Sequence, residues 1–233
     1  MSIHENMRFK VEKLHQLKLI ETKNPETVSE CVVCDMKHKP CAYGNCSRCK
    51  SKEIPLTTHE IREPGNQVTV YSWVNRTEEI EKDGKTVKVS KTIKEEQQLT
   101  VGQLITDTTE QLKKKFTRHV FNIRHQFNSL KSLKDTIDET EAVLHVDFSE
   151  NYNCKLAEEI QAMHFGGSRS QASLHTAVLY TKDTVKSFCT ISESTNHSPQ
   201  GIWAHMDPVL QQICTTMPEV KCMHFISDGP TTQ

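Results

Sequence analysis

A mixed α/β architecture is predicted for this 233-residue chain from three observations. Short apolar runs bounded by turn residues recur after residue 141. Apolar side chains step by threes and fours over 101–138. A Gly-free, Pro-free stretch between 103 and 138 separates two regions of strand character. The expected class is α+β or α/β, with strands and helices in separate blocks early on and a β-β-β-α-β order at the end.

The elements follow in order. Met7, Val11, Leu14 and Leu17 fit one face of a helix over 7–20. Residues 31–49 hold five of the nine cysteines among Pro, Gly, Asn and Ser and read as loop. Gln67–Val74 and Thr86–Ile93 alternate as a β-hairpin, with Asp83-Gly84 as the turn between them. Leu112, Phe116, Val120, Ile123, Phe127, Leu130 and Leu133 then line one long helix or two stacked ones, and these residues are expected to be core. Strands are predicted at Ala142–Phe148, Ser173–Thr181 and Thr184–Ile191, with a short helix near Lys155–Met163 and a break at Gly166-Gly167. Ser198-Pro199 starts a helix, because serine accepts from free N–H groups and proline suits the first turn. That helix is expected to kink or restart at Asp207-Pro208, and Lys221–Ser227 forms the last strand. The chain therefore divides into an N-terminal helix (1–30), a cysteine-rich segment (31–54), a hairpin and basic helical region (55–140) and a sheet domain (141–233).

Composition narrows the function classes. Net charge is −1, so any nucleic-acid affinity must come from a local patch. No apolar run approaches the roughly 20 residues of a bilayer span, and Met-Ser-Ile-His-Glu-Asn is no signal core. No membrane partner and no secretion are expected. A disulfide framework is then a poor account of nine cysteines.

Metal binding is the better account. Cys31-x2-Cys34 and Cys46-x2-Cys49 are two knuckles, with Cys41 and His38 as further candidates. Either Cys31/Cys34/Cys46/Cys49 or Cys34/Cys41/Cys46/Cys49 makes a sound tetrahedral Zn²⁺ set. Such zinc would be structural, folding a segment with almost no apolar core of its own. The other cysteines, Cys154, Cys189, Cys214 and Cys222, are dispersed, and the last three read as core packing.

Between residues 111 and 134 lie Lys113, Lys114, Lys115, Arg118, Arg124, Lys131 and Lys134, with no Asp or Glu. This is either a phosphate-contacting surface for DNA or simply the solvated face of a helix. Isolated histidines carry less. His145, His175 and His224 read as ordinary strand histidines, and His205 has no evident partner.

Asp147 ends the first strand of the sheet domain and Asp228 the last. Two carboxylates on neighbouring strand ends repel unless a cation joins them, and hard oxygen donors suit Mg²⁺ or Mn²⁺. Taken singly, each is an ordinary turn aspartate. Segment 142–233 resembles the start of the catalytic domain of DDE-type, ribonuclease-H-like transposase-derived proteins. The resemblance rests on His145-Val-Asp147-Phe-Ser-Glu-Asn-Tyr152, His164-Phe-Gly-Gly-Ser-Arg169, Ile202-Trp-Ala-His205 and His224-Phe-Ile-Ser-Asp228-Gly-Pro-Thr-Thr-Gln233. It implies a partial ribonuclease-H-like domain in which Asp147 and Asp228 are the first two metal ligands of a three-acid set. The implied ancestral activity is Mg²⁺-dependent DNA strand cleavage and transfer, in a nuclear or nucleocytoplasmic setting. No residue matches the third acid, and Glu150 is read as a solvated loop residue, so weak or no catalysis is expected. The sheet is expected to need a second copy or another protein to cover it. Cys41-x4-Cys46-x2-Cys49 also resembles an N-terminal segment of the same proteins. A different class of function remains beside this one: a non-enzymatic, zinc-dependent module that binds nucleic acid or protein.

Overall fold

A computed structural model describes residues 2–57, 64–82, 85–149, 151–154 and 170–228. The expected Asp83-Gly84 turn, Glu150, the Lys155–Met163 helix, His164, the Gly166–Arg169 stretch and residues 229–233 lie outside these. The chain is mixed α/β and divides into two compact units, Met1–Phe127 and Asn128–Gln233.

In the first unit α1 spans Ser2–Gln16. Its core face is Met7, Val11 and Leu14, while Leu17 lies beyond its end and is exposed. Lys18, at φ 57°, provides the left-handed residue that stops the helix. Contrary to the loop expectation, the cysteine region carries helical turns. Helix α2 (Pro25–Val32) is capped by Asn24, whose side chain accepts from the Glu26 N–H at 2.9 Å. Short α3 (Lys39–Ala42) and a 3₁₀ turn at Ser47–Cys49 follow.

Strands β1 (Gln67–Lys82) and β2 (Lys85–Thr100) form an antiparallel hairpin in the register Gln67↔Thr100. Both strands extend past the apolar alternation. Val68, Val70 and Ser72 point into the core, and polar pairs hold the far half: Glu78–Lys91 at 3.1 Å and Glu79–Lys88 at 3.5 Å. Asn6 of α1 secures the outer edge of β1, accepting from the Trp73 N–H at 2.6 Å and donating to the Trp73 carbonyl at 2.9 Å.

Thr100 and Gln103 form a capping box that opens α4 (Val101–Gln111). A π-turn at Leu112–Phe116 leads into α5 (Thr117–Thr136). The wide turn keeps residues spaced by four on one side, so Leu104, Thr108, Leu112, Phe116 and Val120 are all buried. The core expectation fails past that point. Ile123 is 52% and Phe127 67% exposed, because α5 outlasts the core on which it packs.

The second unit is built on β3 (Glu141–Phe148), β4 (Tyr152–Asn153), β5 (Gln171–Tyr180), β6 (Val185–Ser192) and β7 (Cys222–Ile226). Strand β5 pairs antiparallel with β3 on one side and with β6 on the other; β4 pairs with the start of β5. β7 runs parallel to β3 on its free side. The first and last of these strands are therefore neighbours in the sheet, as the β-β-β-α-β order predicts.

Helix α6 (Pro199–Thr216) covers one face. Its Met206, Val209 and Ile213 pack on Ala142, Leu144, Val146, Ala177 and Leu179. Ser198 caps it, accepting from the Gly201 N–H at 3.4 Å. The helix passes through Pro208 without restarting. Gly201 must be glycine, because a Cβ there would lie 2.2 Å from the Asn196 carbonyl oxygen. Among the described residues no helix is long and apolar enough to cross a membrane.

Candidate metal centre and acidic strand ends

Cys34, Cys41, Cys46 and Cys49 converge, with all four sulfurs within 4.8 Å of one another. The turn of α3 and the 3₁₀ turn bring the last three inward, and Cys34 joins them from the loop after α2. Of the two sets that spacing allows, the structure gathers the second. Cys31 lies outside it, because α2 continues through this position and its thiol faces the Thr27 carbonyl at 3.6 Å. The first Cys-x2-Cys is thus half helix and not a knuckle. His38 stays at the margin, its Nδ1 3.4 Å from the Cys41 sulfur.

The four sulfurs are unequal. Hydrogen bonds from the backbone and side chain of Cys49 draw the Cys46 thiol down to about 6, helped by Cys41 and the Arg48 N–H. Burial pushes Cys49 up to about 12, although its sulfur accepts from the Cys34 N–H at 3.2 Å. One thiolate shared among hydrogen-bonding thiols is a nucleus that a soft cation can complete. Four cysteines so close together can hold a metal such as zinc. The surrounding fold is tied down from outside the cluster. Thr117 Oγ1 donates to the Ala42 carbonyl at 2.9 Å, and the Tyr43 hydroxyl donates to Asn122 at 2.7 Å.

Asp147 and Asp228 follow neighbouring strand segments. The parallel ladder pairs Glu141 with Cys222 and runs on to His145 with Ile226. Asp147 lies two residues beyond His145 on β3, and Asp228 lies two residues beyond Ile226, just past the end of β7. Both line one cavity of about 340 Å³, together with Phe148, His175, Trp203 and Phe225. Both aspartates are exposed.

A histidine cluster beside them was not foreseen in the sequence. His175, His197 and His205 surround the Phe148 ring, with His197 stacked on it at 4.0 Å. His205 does have partners. Thr190 Oγ1 lies 2.7 Å from its Nδ1 and Ser173 Oγ lies 3.3 Å from its Nε2. Ser173 gives its own proton to the Ser194 carbonyl at 2.6 Å, so its oxygen is left to accept from His205 Nε2. The single proton of Thr190 Oγ1 lies between His205 Nδ1 and the His175 carbonyl, which is 3.4 Å away. That arrangement leaves the serine no base to activate it. Burial lowers the pKa of His205, reinforced by His197. Burial also lowers that of His175, reinforced by His205 and opposed by Asp147. His175 Nδ1 and His197 Nε2 are buried without a hydrogen-bond partner among the described residues. The pairing of Phe148 with His175 and of His175 with Thr190, together with α6, which carries His205, brings this group together, and residue spacing does not reveal it.

Most of the basic residues are engaged within the protein. Lys113 donates to the Lys50 carbonyl at 3.2 Å, Lys114 pairs with Glu110 at 2.8 Å and Arg124 with Glu26 at 2.5 Å. Arg118 lies over Tyr43 and Lys134 over Tyr180. Lys115 and Lys131 are exposed and carry no such contact among the described residues.

Residues 126–233 match a protein family described as a domain of unknown function (DUF8701). No curated protein and no solved structure matches the chain.

Proposed function

We propose that the chain is a transposase-derived DNA-binding protein whose second unit is ribonuclease-H-like. In this reading Asp147 and Asp228 hold Mg²⁺ or Mn²⁺, and the first unit is folded around structural zinc. The observation that carries it is that Asp147, on β3, and Asp228, two residues past the end of its parallel neighbour β7, line one cavity. The strand order β6-β5-β3-β7, in which β3–β7 is the one parallel pair among the described residues, supports the same reading. So does α6 leading into β7. Asp147 and Asp228 would hold such ions, whose chemistry when bound would be activation of water and stabilisation of the leaving oxygen of a phosphodiester. The chain's own contribution is two hard oxygen ligands, one on β3 and one just past β7. With two matched acids of three, metal holding is better supported than turnover.

The test is a Mn²⁺ titration of the full chain, followed by water-proton relaxation. Wild type is expected to bind, and Asp147→Asn and Asp228→Asn to weaken binding at least about tenfold. Equal affinity in all three proteins contradicts the assignment.

One observation favours the second reading, a non-enzymatic zinc-dependent interaction module. Five of the seven basic residues are spent on contacts within the protein, which leaves Lys115 and Lys131 for phosphate. Duplex DNA affinity should then depend only weakly on salt, with a slope of about −0.9 per phosphate contact in log–log form.

A further inference from the structure

We propose that Glu141, Cys222 and His224 form a second metal site, which takes one ion of the Zn²⁺ class and leaves a fourth position open to water. Cys222 and His224 are two apart on β7 and so share a face. Glu141 is the direct partner of Cys222 in the parallel ladder, which sets its side chain on that same face. The ladder is anchored at this end, since the N–H groups of Lys221 and Cys222 both reach the Thr140 carbonyl, at 2.8 and 3.1 Å.

The donor spacing fits the ion. His224 Nε2 lies 3.7 Å from Glu141 Oε1 and 3.8 Å from Cys222 Sγ, and all three donor atoms fall within 4.8 Å of one another. A tetrahedral ion with bonds of about 2.0–2.3 Å requires donor separations of roughly 3.3–3.8 Å. Little movement is needed to close the third edge. Thiolate and imidazole favour Zn²⁺ over Mg²⁺, and a set of three protein ligands leaves room for a water. Cys222 is exposed, and Glu141 and His224 are each about one-third exposed, so the ion can enter from solvent.

The site is separate from the aspartate pair. Glu141 and Asp147 are at opposite ends of β3, six residues or about 20 Å of strand apart. It also differs in chemistry, with a sulfur and a nitrogen donor where the strand ends offer only oxygen. An ion here would pin the start of β7 to the start of β3. His224 thereby acquires a role that an ordinary strand histidine does not have, and so does Cys222, which is exposed and not part of the expected core packing.

Co²⁺ titration of the metal-free full chain, read by thiolate-to-cobalt absorbance, tests this. Wild type should bind one more Co²⁺ than Cys222→Ser, and the difference spectrum should carry the intensity of a single thiolate. Glu141→Gln should keep the Cys34/Cys41/Cys46/Cys49 signal and weaken the additional step. Asp147→Asn should leave that step unchanged. The proposal is overturned if wild type and Cys222→Ser titrate identically, or if Glu141→Gln leaves the additional step unaltered.

Discussion

Replacing Cys34 by serine should destabilise the first unit and leave the second alone. Cys34 and Cys49 are 15 residues apart, and the short α3 and 3₁₀ turns between them are too brief to persist on their own. A cross-link that closes a loop of that length is worth about 3 kcal/mol through the unfolded chain alone. Lost metal–sulfur bonding adds to this, so about 3 kcal/mol is a lower bound. For a unit of this size it corresponds to a melting shift on the order of 10 °C. Trp73 sits in the hairpin of the first unit and Trp203 on α6 of the second, so Trp203→Phe isolates the first unit's fluorescence. Urea unfolding of zinc-loaded Cys34→Ser in that background should show the loss, and chelation of the parent protein should reproduce it. Cys31→Ser, whose sulfur lies outside the group, should unfold like the parent. Equal midpoints for parent and Cys34→Ser would refute the zinc-centred account, as would a loss in Cys31→Ser as large as that in Cys34→Ser.

Lys10 is buried and bonded to Asp107, which is 40% exposed. Asp107→Ala should cost about 2–4 kcal/mol in chemical denaturation by stranding the ammonium, somewhat less than a fully buried pair because water can reach the gap. His175 and His205 are held below the ordinary histidine value by burial. The unfolded chain therefore takes up protons that the folded one refuses, and the second unit loses stability as pH falls from about 6.5 towards the folded values. The slope is at most about 1.4 kcal/mol per pH unit for each proton, and Trp203-monitored unfolding at pH 7.5 and 5 should show the decline. Phe116→Ala should cost about 3–5 kcal/mol, whereas Phe127→Ala should change stability by under about 0.5 kcal/mol. Calorimetry of the two variants separates core from surface along one helix.

The contrast between Phe116 and Phe127 also shows where sequence periodicity stops informing. A step of three or four identifies a helical face, but not how far the covering core extends. The hairpin shows the reverse. Apolar alternation located the base of β1 (67–74) and the distal half of β2 (86–93), segments that meet only at Val74↔Ile93, and it did not register the Glu–Lys pairs between the distal rungs. Cysteine spacing narrowed the metal ligands to two sets. The choice turned on whether Cys31 lies in a loop or in α2, and Pro25 with the Asn24 cap decides that locally. The four longer strands of the second unit were legible because their runs are short and cleanly bounded, whereas the two-residue β4 is polar and too brief to leave a pattern. The histidine cluster and the Glu141/Cys222/His224 group were not legible, since both depend on pairing between strands distant in the chain.

If Asp147 and Asp228 act together on a divalent cation, the ion should lie between their carboxylates. Crystals of the full chain grown with Mn²⁺, with diffraction data collected at a wavelength where manganese scatters anomalously, test it most directly. The account predicts an anomalous peak within about 2.0–2.3 Å of carboxylate oxygens from both residues, absent in Asp147→Asn. Carboxylates that face apart with no peak between them, or a peak that survives the substitution, would contradict it.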